Sequence, residues 1–177
     1  MHDHRYGGRA KTIQLWSPER QQWENALNWT CTADWEKDGE NKKTRDFGAI
    51  KSSIASTAYL GMEVVSDDVK LSRCGLTIAG YASDKQREGP QMVRATCMGC
   101  QPRAEDMDYT VDTMPGESGA PVMTRFSDGT IASLGIHNYG DKNATKDRYG
   151  RLWGRKNTAT RITRRVLQEI QEWIRTL

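Results

Sequence analysis

Between Tyr109 and Arg125 the chain reads Tyr-Thr-Val-Asp-Thr-Met-Pro-Gly-Glu-Ser-Gly-Ala-Pro-Val-Met-Thr-Arg, with Gly116-Glu117-Ser118-Gly119-Ala120-Pro121 at its centre. A serine among small residues, closed by a proline, predicts a tight exposed loop. Gly116 and Gly119 can adopt backbone angles closed to other residues and leave room for another chain to approach. The apolar pair Val122-Met123 would anchor the loop on a strand. In that geometry the Ser118 hydroxyl is exposed while the amides of Gly116 and Ser118 aim at one point. Acyl transfer needs such a pair of donors, because negative charge develops on the oxygen of the attacked carbonyl. A bare Gly-x-Ser-Gly is more often a solvated turn, so the weight rests on the longer string.

That string, Gly-Glu-Ser-Gly-Ala-Pro-Val, resembles the nucleophile loop of the chymotrypsin-like serine proteases. Gly135-Ile136-His137-Asn138-Tyr139-Gly140, beginning seventeen residues after Ser118, narrows the resemblance to the glutamyl-endopeptidase branch. A serine hydroxyl becomes nucleophilic when an imidazole takes its proton and a carboxylate fixes that imidazole's tautomer. The resemblance implies Ser118 as nucleophile and Gly116 and Ser118 as oxyanion donors. It implies Asp46, in Arg45-Asp46-Phe47-Gly48-Ala49-Ile50, as the triad carboxylate. Thr113 and His137 are implied as contacts of the substrate carboxylate before the scissile bond. His137 would donate and, when protonated, supply charge, while Thr113 adds a hydroxyl. Asn138, Tyr139 and Gly140 would offer backbone groups to an extended substrate, as a strand does to an added strand. Outside the family pattern, Asp46 reads equally well as a surface residue at a strand start, and His137 as a satisfied core histidine. Glu117 departs from trypsin-type enzymes, which hold Asp before the serine to pair with a freed N-terminal ammonium.

The family carries its general base in an Ala-(Ala/Gly)-His motif after at least one strand of the first barrel. No such motif occurs here. Met1-His2-Asp3-His4-Arg5-Tyr6-Gly7-Gly8 instead resembles the segment just downstream of that histidine, which places the base before Met1 and makes the chain N-terminally truncated. The alternative keeps His4, forty-two residues before Asp46, or His2 as the base. Two functions follow: a serine endopeptidase preferring glutamate before the scissile bond, or a non-catalytic binding protein on a protease fold. The expected partner is a peptide or protein substrate, with no cofactor and no metal, and the resemblance implies a secreted monomer.

At 177 residues the chain is long enough for one large or two small domains with a real core. Its 26 basic and 23 acidic residues leave a formal charge of only +3, spread along the chain, which argues against a nucleic-acid partner. No apolar run is long enough to span a membrane. Cys31, Cys74, Cys97 and Cys100 are read as disulfides or plain buried thiols, since Cys97-Met98-Gly99-Cys100 lacks a second metal-spaced pair. Asn28-Trp29-Thr30 and Asn143-Ala144-Thr145 match the glycosylation pattern and lean weakly toward secretion.

The elements that must hold these groups read mostly as β. Strands are expected at 12–16, 26–35 and 47–50, then at 75–81, 91–97, 107–111 and 130–139. Gly135 would mark a close backbone approach. Residues 36–45 read as a charged loop, 51–70 as a linker and 83–89 as a turn. Ile162, Val166, Ile170, Trp173, Ile174 and Leu177 share one face of a terminal helix capped by Thr163. The expected fold is all-β: two chymotrypsin-like β-barrels, the first incomplete at its N-terminus, followed by a C-terminal α-helix. The expected division is 1–58 for the remainder of the first barrel and 59–177 for the second barrel plus helix.

Overall fold

The computed structural model describes residues 10–36, 44–54, 56, 58–82, 91–140, 145–146, 152–153 and 156–177. His2, His4, Asn143 and the turn expected at 83–89 lie outside the described residues. The chain divides into two units, Met1–Tyr59 with Leu167–Leu177, and Leu60–Val166.

In the first unit, β1 (Gln14–Ser17) and β2 (Gln22–Asn25) form an antiparallel hairpin in which Trp16 faces Trp23. Their rings meet edge to face at 5.5 Å, the kind of cross-strand aromatic pair that stabilises a small ribbon. The second strand of this hairpin, Gln-Trp-Glu-Asn, carries no apolar alternation and is not evident in the sequence. β3 (Asn28–Cys31) pairs with β4 (Gly48–Lys51), and one helical turn, α1 (Ala33–Glu36), follows β3. Glycine is needed at position 48, where a Cβ would lie 2.5 Å from the carbonyl oxygen of Thr30.

The second unit is built on one eight-stranded sheet. Its strands are β5 (Gly61–Met62), β6 (Gly75–Tyr81), β7 (Met92–Met98), β8 (Gln101–Pro102), β9 (Asp106–Tyr109), β10 (Pro121–Arg125), β11 (Ile131–Gly140) and β14 (Asn157–Arg161). The order is β7-β6-β10-β11-β14-β9-β8, with β5 parallel to β11. A separate short pair joins β12 (Thr145–Lys146) to β13 (Leu152–Trp153). β6 occupies the residues expected of it, and every second side chain is buried, as alternation demands. Leu76, Ile78, Met107, Val111, Val122 and Leu134 form the core of the unit.

The expected linker is partly structured. Asp67 caps α2 (Asp68–Ser72), its carboxylate accepting from the amides of Val69 at 2.9 Å and Lys70 at 3.0 Å. Arg161 of β14 ties this helix down, donating to Val65 O at 2.7 Å and pairing with Asp68 at 2.8 Å.

β14, the strand between β11 and β9, reads Asn-Thr-Ala-Thr-Arg and was not expected from the sequence. It is polar because it is a hydrogen-bonding strand. Thr158 Oγ1 donates to Asp108 at 2.9 Å, Thr160 N donates to Asn138 Oδ1 at 3.2 Å, and Asn157 Nδ2 donates to Val111 O. Gly135 sits where expected for a close approach: a Cβ there would meet Thr160 O at 3.0 Å and the Met107 side chain.

The terminal helix, α3 (Arg164–Thr176), is capped as expected, with Val166 N donating to Thr163 Oγ1 at 3.3 Å. The sequence reading assigns the whole helix to the second half, and here the structure differs. Leu167–Leu177 group with the first unit, because Trp173 packs on Phe47 with centroids 5.5 Å apart and Glu169 pairs with the buried Arg45. Ile174, placed on the buried face by spacing, is 72% exposed.

Candidate active site

The loop from Met114 to Ala120 is shaped by two glycines in the left-handed region, Gly116 at φ 102° and Gly119 at φ 90°. Glu117 braces it from within. Its side chain is buried, and Oε2 accepts from the amide of Met114 at 2.6 Å, while its own amide donates to Met114 O at 3.3 Å. This reciprocal pair closes the turn as a capping box closes a helix start. Gly80 of β6 makes room for the brace: a Cβ at that position would crowd Ala120 Cβ at 3.1 Å and Glu117 Cγ at 3.3 Å. Glu117 is thus a loop-forming residue, a role that its departure from the family's aspartate did not reveal.

Ser118 is exposed, and its hydroxyl donates to Asn138 O at 3.4 Å. Two backbone bonds stitch the loop to β11: Gly119 N to His137 O at 2.7 Å, and His137 N to Ala120 O at 2.9 Å. Among the described residues the amides of Gly116 and Ser118 have no intrachain acceptor. They remain donors for an incoming group.

His137 is buried, with Nδ1 2.6 Å from the hydroxyl of Tyr109 on β9. Burial pulls its pKa down to about 4, so at neutral pH it is an uncharged imidazole. The sequence reading missed Tyr109, which opens the stretch that contains Ser118 but carries no motif of its own. Thr113, also buried, donates through Oγ1 to Asn157 Oδ1 at 3.0 Å. Thr113 and His137 are thus each held by a polar partner unseen in the sequence, Asn157 on β14 and Tyr109 on β9.

Asn138 forms a bulge in β11, where the register against β14 shifts between His137 and Tyr139. Its side chain fills the gap in the ladder, donating to Thr160 Oγ1 at 3.0 Å and accepting from Thr160 N. The β10 register ends at Ile136, while the β14 register continues through Tyr139 to Gly140.

Asp46 lies in the first unit, at a tight turn where Phe47 N donates to Arg45 O at 3.1 Å, just before β4. Thr32 fixes that turn, its hydroxyl donating to Arg45 O and its amide to Phe47 O. Ser118, Thr113 and His137 all lie in the second unit. Cys31, Cys74, Cys97 and Cys100 are half-buried and form no disulfide with one another, and burial pushes Cys100 up to about 11.

A mostly β chain with a curled sheet and a terminal helix has a chymotrypsin-like fold, the fold of a solved Glu endopeptidase. The chain is 29% identical over 141 residues to a glutamyl endopeptidase of Bacillus licheniformis, an alignment covering 72% of the chain. It spans only 39% of that relative's length. A solved Glu endopeptidase structure, in complex with MPD, superposes on 97% of this chain and 75% of its own, with a TM-score of 0.73 at 18% identity. No protein-family model matches the chain.

Proposed function

We propose that the chain is a serine endopeptidase in which Ser118 attacks the scissile carbonyl and the amides of Gly116 and Ser118 bind the developing oxyanion. The observation that carries this reading is the loop: an exposed hydroxyl beside two amides without acceptors among the described residues, held by positive-φ glycines and a buried carboxylate. In this reading Asp46 orients the imidazole that serves as general base. That imidazole is not His137, which is bonded to Tyr109, so His2 and His4 are the remaining histidines of the sequence. Thr113 and His137 read the side chain before the scissile bond, which the resemblance makes glutamate. The backbone of Asn138, Tyr139 and Gly140 aligns the peptide. Secretion and a monomeric state complete the proposal on the same resemblance.

A second reading, a non-catalytic peptide-binding protein on this fold, is favoured by one observation. His137 is the only histidine among the described residues, and it is already engaged. Peptides differing only in the residue before the scissile bond separate the two. Turnover after glutamate that disappears in Ser118→Ala establishes the peptidase. Binding without turnover establishes the second reading, and turnover indifferent to Ser118→Ala overturns the assignment of the nucleophile.

A further inference from the structure

In the first unit, Arg45 and Phe47 are buried while Asp46 between them is half-buried. The three residues form a turn closed by the bond from Phe47 N to Arg45 O at 3.1 Å, with Asp46 at its centre. Thr32, just after β3, holds the backbone of that turn. Its hydroxyl donates to Arg45 O, and its amide donates to Phe47 O at 3.3 Å. With the backbone held at both flanks, the direction of the Asp46 side chain depends on how firmly the side chains of those flanks are held.

Both of those side chains go to α3. Glu169 pairs with the Arg45 guanidinium, and Trp173 packs on Phe47 with ring centroids 5.5 Å apart. The guanidinium also lies over the Phe47 ring, 5.0 Å from its centroid, so the two flanks brace each other. Glu169 and Trp173 are four residues apart on the helix. They therefore share one face, about 6 Å apart along its axis. Positions 45 and 47 are at most about 7 Å apart along the chain. The spacings match, and a single turn of α3 grips the residue on each side of Asp46. One grip is a charge-assisted bond to a buried guanidinium and the other is aromatic packing, so sliding the helix would break both together.

We propose that α3 is the mount for Asp46, with Glu169 and Trp173 as positioning residues that fix the direction of its carboxylate through Arg45 and Phe47. The consequence for catalysis rests on the peptidase reading, in which Asp46 orients the imidazole of the general base. A carboxylate does so only from a fixed direction, because it selects the tautomer by accepting the ring N–H. Glu169 is 124 residues from Arg45 in sequence. The far end of the chain thus supplies the rigidity that a turn of three residues cannot supply for itself.

The test follows the Asp46 carboxyl carbon by carbon-13 NMR in the 177-residue chain, its signal assigned by its loss in Asp46→Asn. Turnover of a blocked peptide with glutamate before the scissile bond is measured alongside. Glu169→Ala and Trp173→Ala should each move the Asp46 signal and its titration midpoint. Each should lower kcat about tenfold or more while KM stays within about twofold, a split that general loosening of the fold would not produce. Should an alanine variant fail to fold, Glu169→Gln and Trp173→Phe keep most of each side chain and should still move the signal. Ile174→Ala, on the same helix but 72% exposed, should change neither signal nor rate. Substitutions at Glu169 and Trp173 that lower the melting temperature yet leave the Asp46 signal in place overturn the proposal and reduce both residues to packing. If the native chain turns over no peptide, the peptidase reading fails, while the carbon-13 measurement still decides whether α3 holds Asp46.

Discussion

The serine loop and the polar network around β14 lie in the same unit but are held by different means. The loop owes its shape to backbone conformation: two glycines at positive φ and one buried carboxylate reaching a main-chain amide. The network owes its shape to side chains bonded to side chains, Tyr109 to His137 and Thr113 to Asn157, along a strand of polar residues. A loop of the first kind can be damaged locally by one substitution at one residue. A network of the second kind fails collectively, because each buried polar atom removed takes a partner from another.

The largest effect should come from Asn157→Leu, which removes the buried amide that bonds both Val111 O and the Thr113 hydroxyl. At about 1–3 kcal/mol for each unsatisfied group, the expected loss is about 3–5 kcal/mol in denaturant unfolding. A loss below about 1 kcal/mol would mean that the network is not held collectively. The pH dependence of stability should show a contribution of comparable size from His137. Its folded pKa lies near 4, below the ordinary value of 6.5, so the unfolded chain binds the proton more readily. That contribution is complete above pH 6.5 and is lost as pH falls toward 4, by about 3 kcal/mol at one pKa unit per 1.36 kcal/mol. Subtracting the pH profile of His137→Phe from that of the native chain isolates it, and equal slopes in the two profiles would contradict it.

On the loop side, Glu117→Ala removes a charge-assisted bond to the Met114 amide and should lower stability by about 2 kcal/mol, read from thermal unfolding. Hydrogen exchange at the Met114 amide should rise with it, while the Tyr109–His137 bond, followed by NMR, stays intact. The smallest effect is expected of Gly119→Ala. Nothing lies within 4 Å of the added methyl, so only the strained φ contributes, about 1 kcal/mol. A larger loss than that of Glu117→Ala would reverse the order of importance within the loop.

The same contrast explains what could be read from the sequence. Glycine and proline around a serine announce their backbone geometry, so the loop, the strand after it and the close approach at Gly135 were all legible. β6 was legible because its apolar residues alternate. β14 was not, since Asn-Thr-Ala-Thr-Arg buries polar side chains whose partners lie tens of residues away, and no local pattern encodes them. Tyr109 went unread for the same reason, being linked to His137 only by the strand register that brings their side chains together. The neutral state of His137 depends on burial, which spacing does not report. The last turns of the helix show a further limit: periodicity marks an apolar face but not what that face packs against, and here Trp173 meets Phe47.

The bulge at Asn138 acts as a frameshift written in space. Two residues apart on an unbroken strand, His137 and Tyr139 would point to the same side of the sheet. Their partners on β14 are instead the adjacent residues Ala159 and Thr158, which point to opposite sides. Everything before Asn138 is therefore in one phase and everything after it in the other. A chain lacking Asn138 would keep Tyr139 opposite Thr158 and on its present face, but would lose the side chain that now bonds both the amide and the hydroxyl of Thr160.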